Sequence, residues 1–165
     1  MSVLPILTWP DARLATVCDP VADPDAVAQL VADMFDTMYD APGRGLAAPQ
    51  VGVLARLFVM DAGWKTGART PLVCLNPVVT PLADEVEPGV EGCLSMPAVE
   101  VTVPRPARVR LAWTDLSGAR HSADLEGAEA RIAQHETDHL DGLMHFNRVD
   151  AATRAEILRQ WEARA

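Results

Sequence analysis

Residues 134–140 read Gln134-His135-Glu136-Thr137-Asp138-His139-Leu140, and reading this stretch as a helix decides how the remaining chain is organised. Each residue turns an α-helix by about 100°, so two histidines four apart are separated by roughly 40° and share one face. Glu136 lies about 60° beyond His139 on the same side, free to face whatever the imidazoles hold. Two neutral imidazoles with a carboxylate beside them form the donor pattern of a hydrolytic metal site, in which the imidazoles bind the ion and the carboxylate moves a water proton. Asp138 falls about 60° to the other flank, where it can orient a ligand or pair with a cation. Such a site needs one more protein ligand from elsewhere in the chain.

The whole sequence of 165 residues fits one domain, expected over residues 1–165. A chain of that length buries about 70% of its unfolded surface and folds without disulfides. Its 49% hydrophobic content contains no run of 18 apolar residues, which predicts a soluble globular protein without a membrane span. The start, Met1-Ser2-Val3-Leu4-Pro5-Ile6-Leu7, has no basic segment ahead of an apolar one, so no export signal is expected. The three cysteines, Cys18, Cys74 and Cys93, are an odd number, which favours reduced thiols and a cytoplasmic location. A net charge of −9 disfavours a nucleic-acid-binding surface, because phosphate recognition calls for clustered Lys and Arg.

Along the chain, Pro5, Pro10, Pro20 and Pro24 predict an irregular arm with one helical turn at Asp11-Ala12-Arg13-Leu14. Asp23-Pro24 reads as a helix entrance, and Val27, Leu30, Val31, Met34, Phe35 and Met38 give one apolar stripe over residues 23 to about 39. Gly43-Arg44-Gly45-Leu46-Ala47-Ala48-Pro49-Gln50 follows, with small residues that suit either a ligand loop or a plain helix-to-strand turn. Residues 57–60 read as a buried strand and residues 71–79 as a second one, broken at Pro77. Residues 89–97 read as a glycine-flanked turn that leaves the Cys93 sulfur approachable. Residues 99–103, 109–113 and 121–125 alternate as half-buried strands, with a hairpin turn at Asp115-Leu116-Ser117-Gly118. The helix carrying the opening stretch should begin near Gly127 and stop by Gly142. A last helix, from Ala151 to about Ala163, shows Ile157, Leu158 and Trp161 at helical spacing, with Arg154, Arg159 and Arg164 on its polar side.

Cys93 is the best candidate for the missing ligand, since a thiolate suits Zn²⁺ or Fe²⁺ and its turn is the one that looks functional. His121 and His145 remain rivals, while Cys18 and Cys74 sit in apolar or proline-rich contexts that suit core thiols. Three segments now coincide in order: residues 43–50, the turn Glu91-Gly92-Cys93-Leu94-Ser95, and the helix His135-Glu136-Thr137-Asp138-His139. Together they resemble the peptide deformylases, and the likeness runs from Leu4-Pro5-Ile6-Leu7 through residues 34–39 to the C-terminal helix.

The resemblance implies one divalent metal, Fe²⁺ first, with Zn²⁺, Ni²⁺ or Co²⁺ as substitutes, held by Cys93, His135 and His139. It implies removal of the formyl group from the initiator methionine of nascent peptides, with release of formate. Glu136 would move the proton, and Gln50 and the Leu94 N–H would stabilise the oxyanion. Gly43, Arg44, Gly45, Gly92 and Arg131 would border the substrate, and the C-terminal helix would be the place of any transient contact with the ribosome. The expected fold is α+β, with small mixed or antiparallel sheets packed around the central metal-binding helix.

Three positions depart from the family pattern, and a fourth matches it in a way that predicts a contact. Arg44 stands where a branched apolar residue is usual, and either recharges the substrate groove or points outward with only its backbone facing substrate. Thr137, about 200° from His135, belongs to the back of the helix. Glu100 stands near a place where some members carry a substrate-contacting arginine, and Arg131 either replaces that contact or pairs with an acid such as Glu91. Arg105 matches a position that tends to pair with the motif aspartate, which predicts an Asp138–Arg105 ion pair. Arg44 and Glu100 leave open a paralogue acting on other N-blocked peptides. A catalytically weak ribosome- or peptide-binding homologue is the reading from another class.

Overall fold

Proline and aspartate shape the beginning of the chain in the computed structural model, which describes residues 2–164; Met1 and Ala165, the ends of the expected domain, lie outside the described residues. Asp11 caps a 3₁₀ turn at Ala12–Ala15, as expected of that segment. Asp23 caps a second one, Pro24–Val27, which leads directly into helix α1, Ala28–Asp40. The single helix expected from residue 23 is therefore split, because Val27 leaves helical geometry at φ −109°, ψ 2°.

Seven strands follow in chain order: β1 (Gly45–Ala47), β2 (Leu57–Met60), β3 (Leu72–Pro81), β4 (Val86–Cys93), β5 (Met96–Pro106), β6 (Arg108–Thr114) and β7 (Arg120–Glu126). Five of them form one sheet in the order β1-β2-β3-β6-β7, and β4 with β5 forms a separate hairpin. Every pairing between these strands is antiparallel. Helix α2, Gly127–Leu140, and helix α3, Ala151–Ala163, complete the α+β architecture, with the bounds the sequence predicts.

Two expectations change. Residues 43–50 are not a loop throughout: Gly45–Ala47 pairs with β2 in the register Gly45↔Met60, and Ala48–Val51 is a 3₁₀ turn. Burial of Leu46, Ala47 and Ala48 offsets the entropy of ordering this small-residue segment. The turn expected at residues 89–97 shrinks to Leu94 and Ser95, because Cys93 pairs with Met96 and the strand continues up to it. Burial of alternate side chains, Glu91 and Cys93, is what draws the strand on.

The alternation of β2 explains the layers. Leu57 and Val59 face α1, packing with Val31, Met34, Met38 and Leu46. Phe58 and Met60 face α2, packing with Ile132, Ala133 and Leu140. On the far side of α2, Met96, Val101 and Val103 of the hairpin pack with Phe146, Ile157 and Trp161. Helix α2 thus lies between the large sheet and the β4–β5 hairpin, which explains how a helix rich in polar residues is buried along most of its length.

Candidate metal centre

Glu91 and Cys93 are two residues apart on β4, so both side chains leave the strand on one face, and that face meets α2. One turn of α2 presents His135 and His139, whose rings stand 5.0 Å apart between centroids. Ligand atoms of Cys93, His135 and His139 all lie within 4.8 Å of one another, and all three residues are buried. Cys93 Sγ is 3.5 Å from His139 Nε2. The rival histidines lie elsewhere. His121 is exposed on β7, where its Nε2 meets Asp115 at 2.5 Å. His145 is buried beside His135, but the Phe146 N–H donates to its Nδ1 at 3.0 Å and it stands outside the cluster.

A divalent cation fits these residues. One thiol and two imidazoles are a donor set for Zn²⁺ or Fe²⁺. The buried His139 Nδ1 and Glu136 Oε1 find no hydrogen-bond partner among the described residues, so the cluster is not closed by its own side chains. His135 is oriented from behind, its Nδ1–H donating to Glu91 Oε1 at 2.8 Å. That bond fixes the tautomer and turns the other ring nitrogen toward Cys93.

Glu91 is the hub behind the cluster. It also accepts from Arg105 Nε at 2.5 Å and Nη2 at 2.9 Å, and from Arg131 Nη1 at 2.8 Å. Burial alone raises a carboxyl pKa, but the hydrogen bonds from Arg105 and His135 hold Glu91 well below the usual carboxylate range. The predicted Asp138–Arg105 pair is present at 2.9 Å, and Arg148 adds a second cation to Asp138 at 2.6 Å. The sequence places Glu91 in the turn at residues 89–97 and Arg105 only as the partner of Asp138. Their meeting was not legible there, since it depends on how β4, β5 and α2 close on each other.

Glu136 is buried, and burial pushes its carboxyl up to about 7, close to the range in which a group both takes and gives a proton at neutral pH. Gly45 makes room for it, since a Cβ there would lie 2.6 Å from Glu136 Oε2. Gln50 is held at both ends. Its Oε1 accepts from the Ala47 N–H at 3.0 Å, so its Nε2 is turned toward Cys93 at 3.8 Å and donates to Ser95 Oγ at 3.1 Å. The Leu94 N–H, in the two-residue turn after Cys93, donates to no protein acceptor among the described residues. Ser95, at the end of the Glu91–Ser95 segment, steadies Gln50.

These groups open into a cavity of about 430 Å³ lined by Gly43, Arg44, Gly45, Gly92, Leu94 and Arg131 together with His135 and Glu136. The expected site residues are thus brought to one place. Strand β1 ends the large sheet and β4 pairs with β5 alone, so each leaves an edge unpaired by the other strands. Arg131 does pair with Glu91, and its guanidinium is further committed to Val103 O and Glu87 O. Glu100 is exposed on β5 and does not line the cavity. Thr137 lies on the back of α2, where its hydroxyl donates to Ala133 O at 2.7 Å.

Comparison with known proteins agrees with this geometry. The family model described as polypeptide deformylase matches residues 3–155. The peptide deformylase of Acinetobacter baumannii (strain SDF) is 42% identical over 163 residues, covering 98% of this chain and 92% of its own. The crystal structure of peptide deformylase from Thermus thermophilus superposes with a TM-score of 0.90 at 40% identity, covering 98% of this chain and 94% of that one. That of Ehrlichia chaffeensis peptide deformylase in complex with actinonin gives 0.91 at 34% identity, covering 99% and 98%. Sequence order, fold and buried cluster converge, and the chain belongs to the peptide deformylase family.

Proposed function

We propose that this chain is a metal-dependent amide hydrolase that removes the formyl group from the initiator methionine of nascent peptides and releases formate. The observation that carries this reading is the meeting of a buried Cys93/His135/His139 cluster with a separate carboxylate, Glu136, inside a cavity bordered by two unpaired strand edges. An extended peptide laid between β1 and β4 finds main-chain partners on both sides, which suits a peptide substrate blocked at its terminus.

In this reading Cys93, His135 and His139 would hold one Fe²⁺, which would supply Lewis acidity when bound. Glu136 takes the proton from the attacking water and delivers it to the departing amine as the carbon–nitrogen bond breaks, so that the water oxygen leaves in formate. The Gln50 amide N–H and the Leu94 N–H receive the negative charge that develops on the formyl oxygen, each contributing on the order of 3 kcal/mol.

No helix among the described residues is long and apolar enough to cross a membrane, and the reaction is assigned to the cytoplasm, where formylated nascent chains arise. A transient ribosome contact through α3 would rest chiefly on Arg154, because Arg159 pairs with Glu156 and Arg164 stacks on the Trp161 ring. Glu136→Gln tests the core of the reading. It should keep the bound metal and lower formate release from a formyl-Met peptide by roughly 10³-fold. An Fe²⁺-loaded parent chain that releases no formate, or a variant that keeps the parent rate, overturns it.

A further inference from the structure

We propose that Arg44 and Lys65 form a cationic rim at the cavity mouth that favours formyl peptides carrying an acidic side chain at the second or third residue. The proposal rests on the deformylase reading above and assigns it a substrate class.

Arg44, Lys65 and Arg131 are the cations that line the cavity, and Glu91 and Glu136 are its acids. Glu91 is saturated by Arg105, Arg131 and His135, and Arg131 is consumed by the same contact. Arg44 and Lys65, both exposed, make no ion pair or side-chain hydrogen bond to protein among the described residues. Lys65 Nζ lies 5.8 Å from the centre of the Trp64 ring, and the mouth holds two positive charges without an acidic partner among the described residues in a chain whose net charge is −9, so attraction for acids there is local and opposed by the molecule's overall field.

The backbone fixes where these charges stand. Arg44 is exposed, lines the cavity and immediately precedes Gly45, whose Cβ direction points at Glu136. Exposed and on the cavity lining, Arg44 belongs to the rim in this proposal. Lys65 sits on a 3₁₀ turn, Trp64–Thr66, and the Trp64 Nε1–H donates to Gly43 O at 2.8 Å, which ties that turn to the segment carrying Arg44. Trp64 also meets Tyr39 edge-on at 5.2 Å, so the turn is anchored to α1 as well. A peptide leaving the site in extended form advances about 3.3 Å per residue, which brings its second and third side chains past the mouth.

The test compares formyl-Met-Asp-Ala-amide, formyl-Met-Asn-Ala-amide and formyl-Met-Lys-Ala-amide, with the terminal amide removing any other carboxylate. At low ionic strength kcat/KM for the Asp peptide should exceed that for the Lys peptide by roughly fivefold to tenfold, and the ratio should shrink at high salt, as exposed pairs do. Arg44→Ala with Lys65→Ala should bring the ratio close to one, and Arg44→Glu with Lys65→Glu should invert it. Equal rates on the three peptides in the parent chain, or a ratio that survives both double substitutions, overturns the rim. Absence of turnover on every peptide overturns the deformylase reading instead. The rim is then decided by calorimetric affinity for Met-Asp-Ala-amide against Met-Lys-Ala-amide: tighter binding of the Asp peptide, lost in the double alanine variant, supports it, and equal affinities overturn it.

Discussion

Gly45→Ala offers a measurement of how closely the catalytic carboxylate is held. The new Cβ would lie 2.6 Å from Glu136 Oε2, 2.9 Å from its Cδ and 3.0 Å from its Cγ, whereas ordinary contact begins at 3.4 Å. Something must therefore retreat by about 0.8 Å. Strand β1 is poorly able to do so, because Gly45 is paired with Met60 and the next two side chains, Leu46 and Ala47, are fully buried. The Glu136 side chain is the softer partner and moves. A displacement approaching 1 Å from productive geometry costs on the order of 10²-fold in rate, so kcat should fall by roughly 30-fold to 100-fold. Stability should change by about 1 kcal/mol, since a flexible side-chain end absorbs the clash. The assay is formate release from a formyl-Met peptide by metal-loaded protein, with metal content and thermal unfolding measured on the same preparation. A variant with parent kcat refutes the reasoning. So does one that loses its metal together with its activity, because the clash would then act through α2 and not through the carboxylate.

Glu91→Ala should remove the acceptor shared by Arg105, Arg131 and the His135 Nδ1–H, leaving buried donors with one partner fewer. The expected loss is about 3–5 kcal/mol in urea unfolding together with roughly 10-fold to 100-fold weaker metal retention against a chelator; parent values for both would show the network to be idle. His145 carries a pH dependence, because burial lowers its pKa from 6.5 to about 4. Between those values the unfolded chain binds more protons than the folded one, so stability rises with pH across the window and is lost as pH falls from about 6.5 to about 4, by about 3 kcal/mol at most. His145→Asn should flatten that part of the stability profile, and an unchanged slope would assign it to other groups. The Cys74 thiol, whose pKa burial pushes far up, should resist thiol reagents in the folded chain and react promptly once it is denatured.

Local periodicity made much of the protein readable. A turn of 100° per residue placed His135, Glu136 and His139 on one side of a helix, and the structure keeps them there. Alternation marked residues 99–103, 109–113 and 121–125 as strands, and they lie within β5, β6 and β7. The three ordered segments then pointed to the family that the comparisons establish. Segment boundaries were less visible, as residues 45–47 and 89–93 show, because a short stretch becomes a strand only when a partner supplies its hydrogen bonds.

Other features lay beyond the sequence because they join residues far apart along the chain. The separation of 14 residues between Glu91 and Arg105, and of 44 between Glu91 and His135, is bridged only once the hairpin closes on α2. Sequence by itself determined which groups the protein owns and which share a helix face or a strand face, since those relations follow from the repeat of the local backbone. Tertiary structure alone decided which of them meet, which are neutralised and which stay free at the mouth of the site, because contacts between elements depend on register and packing that no local repeat encodes.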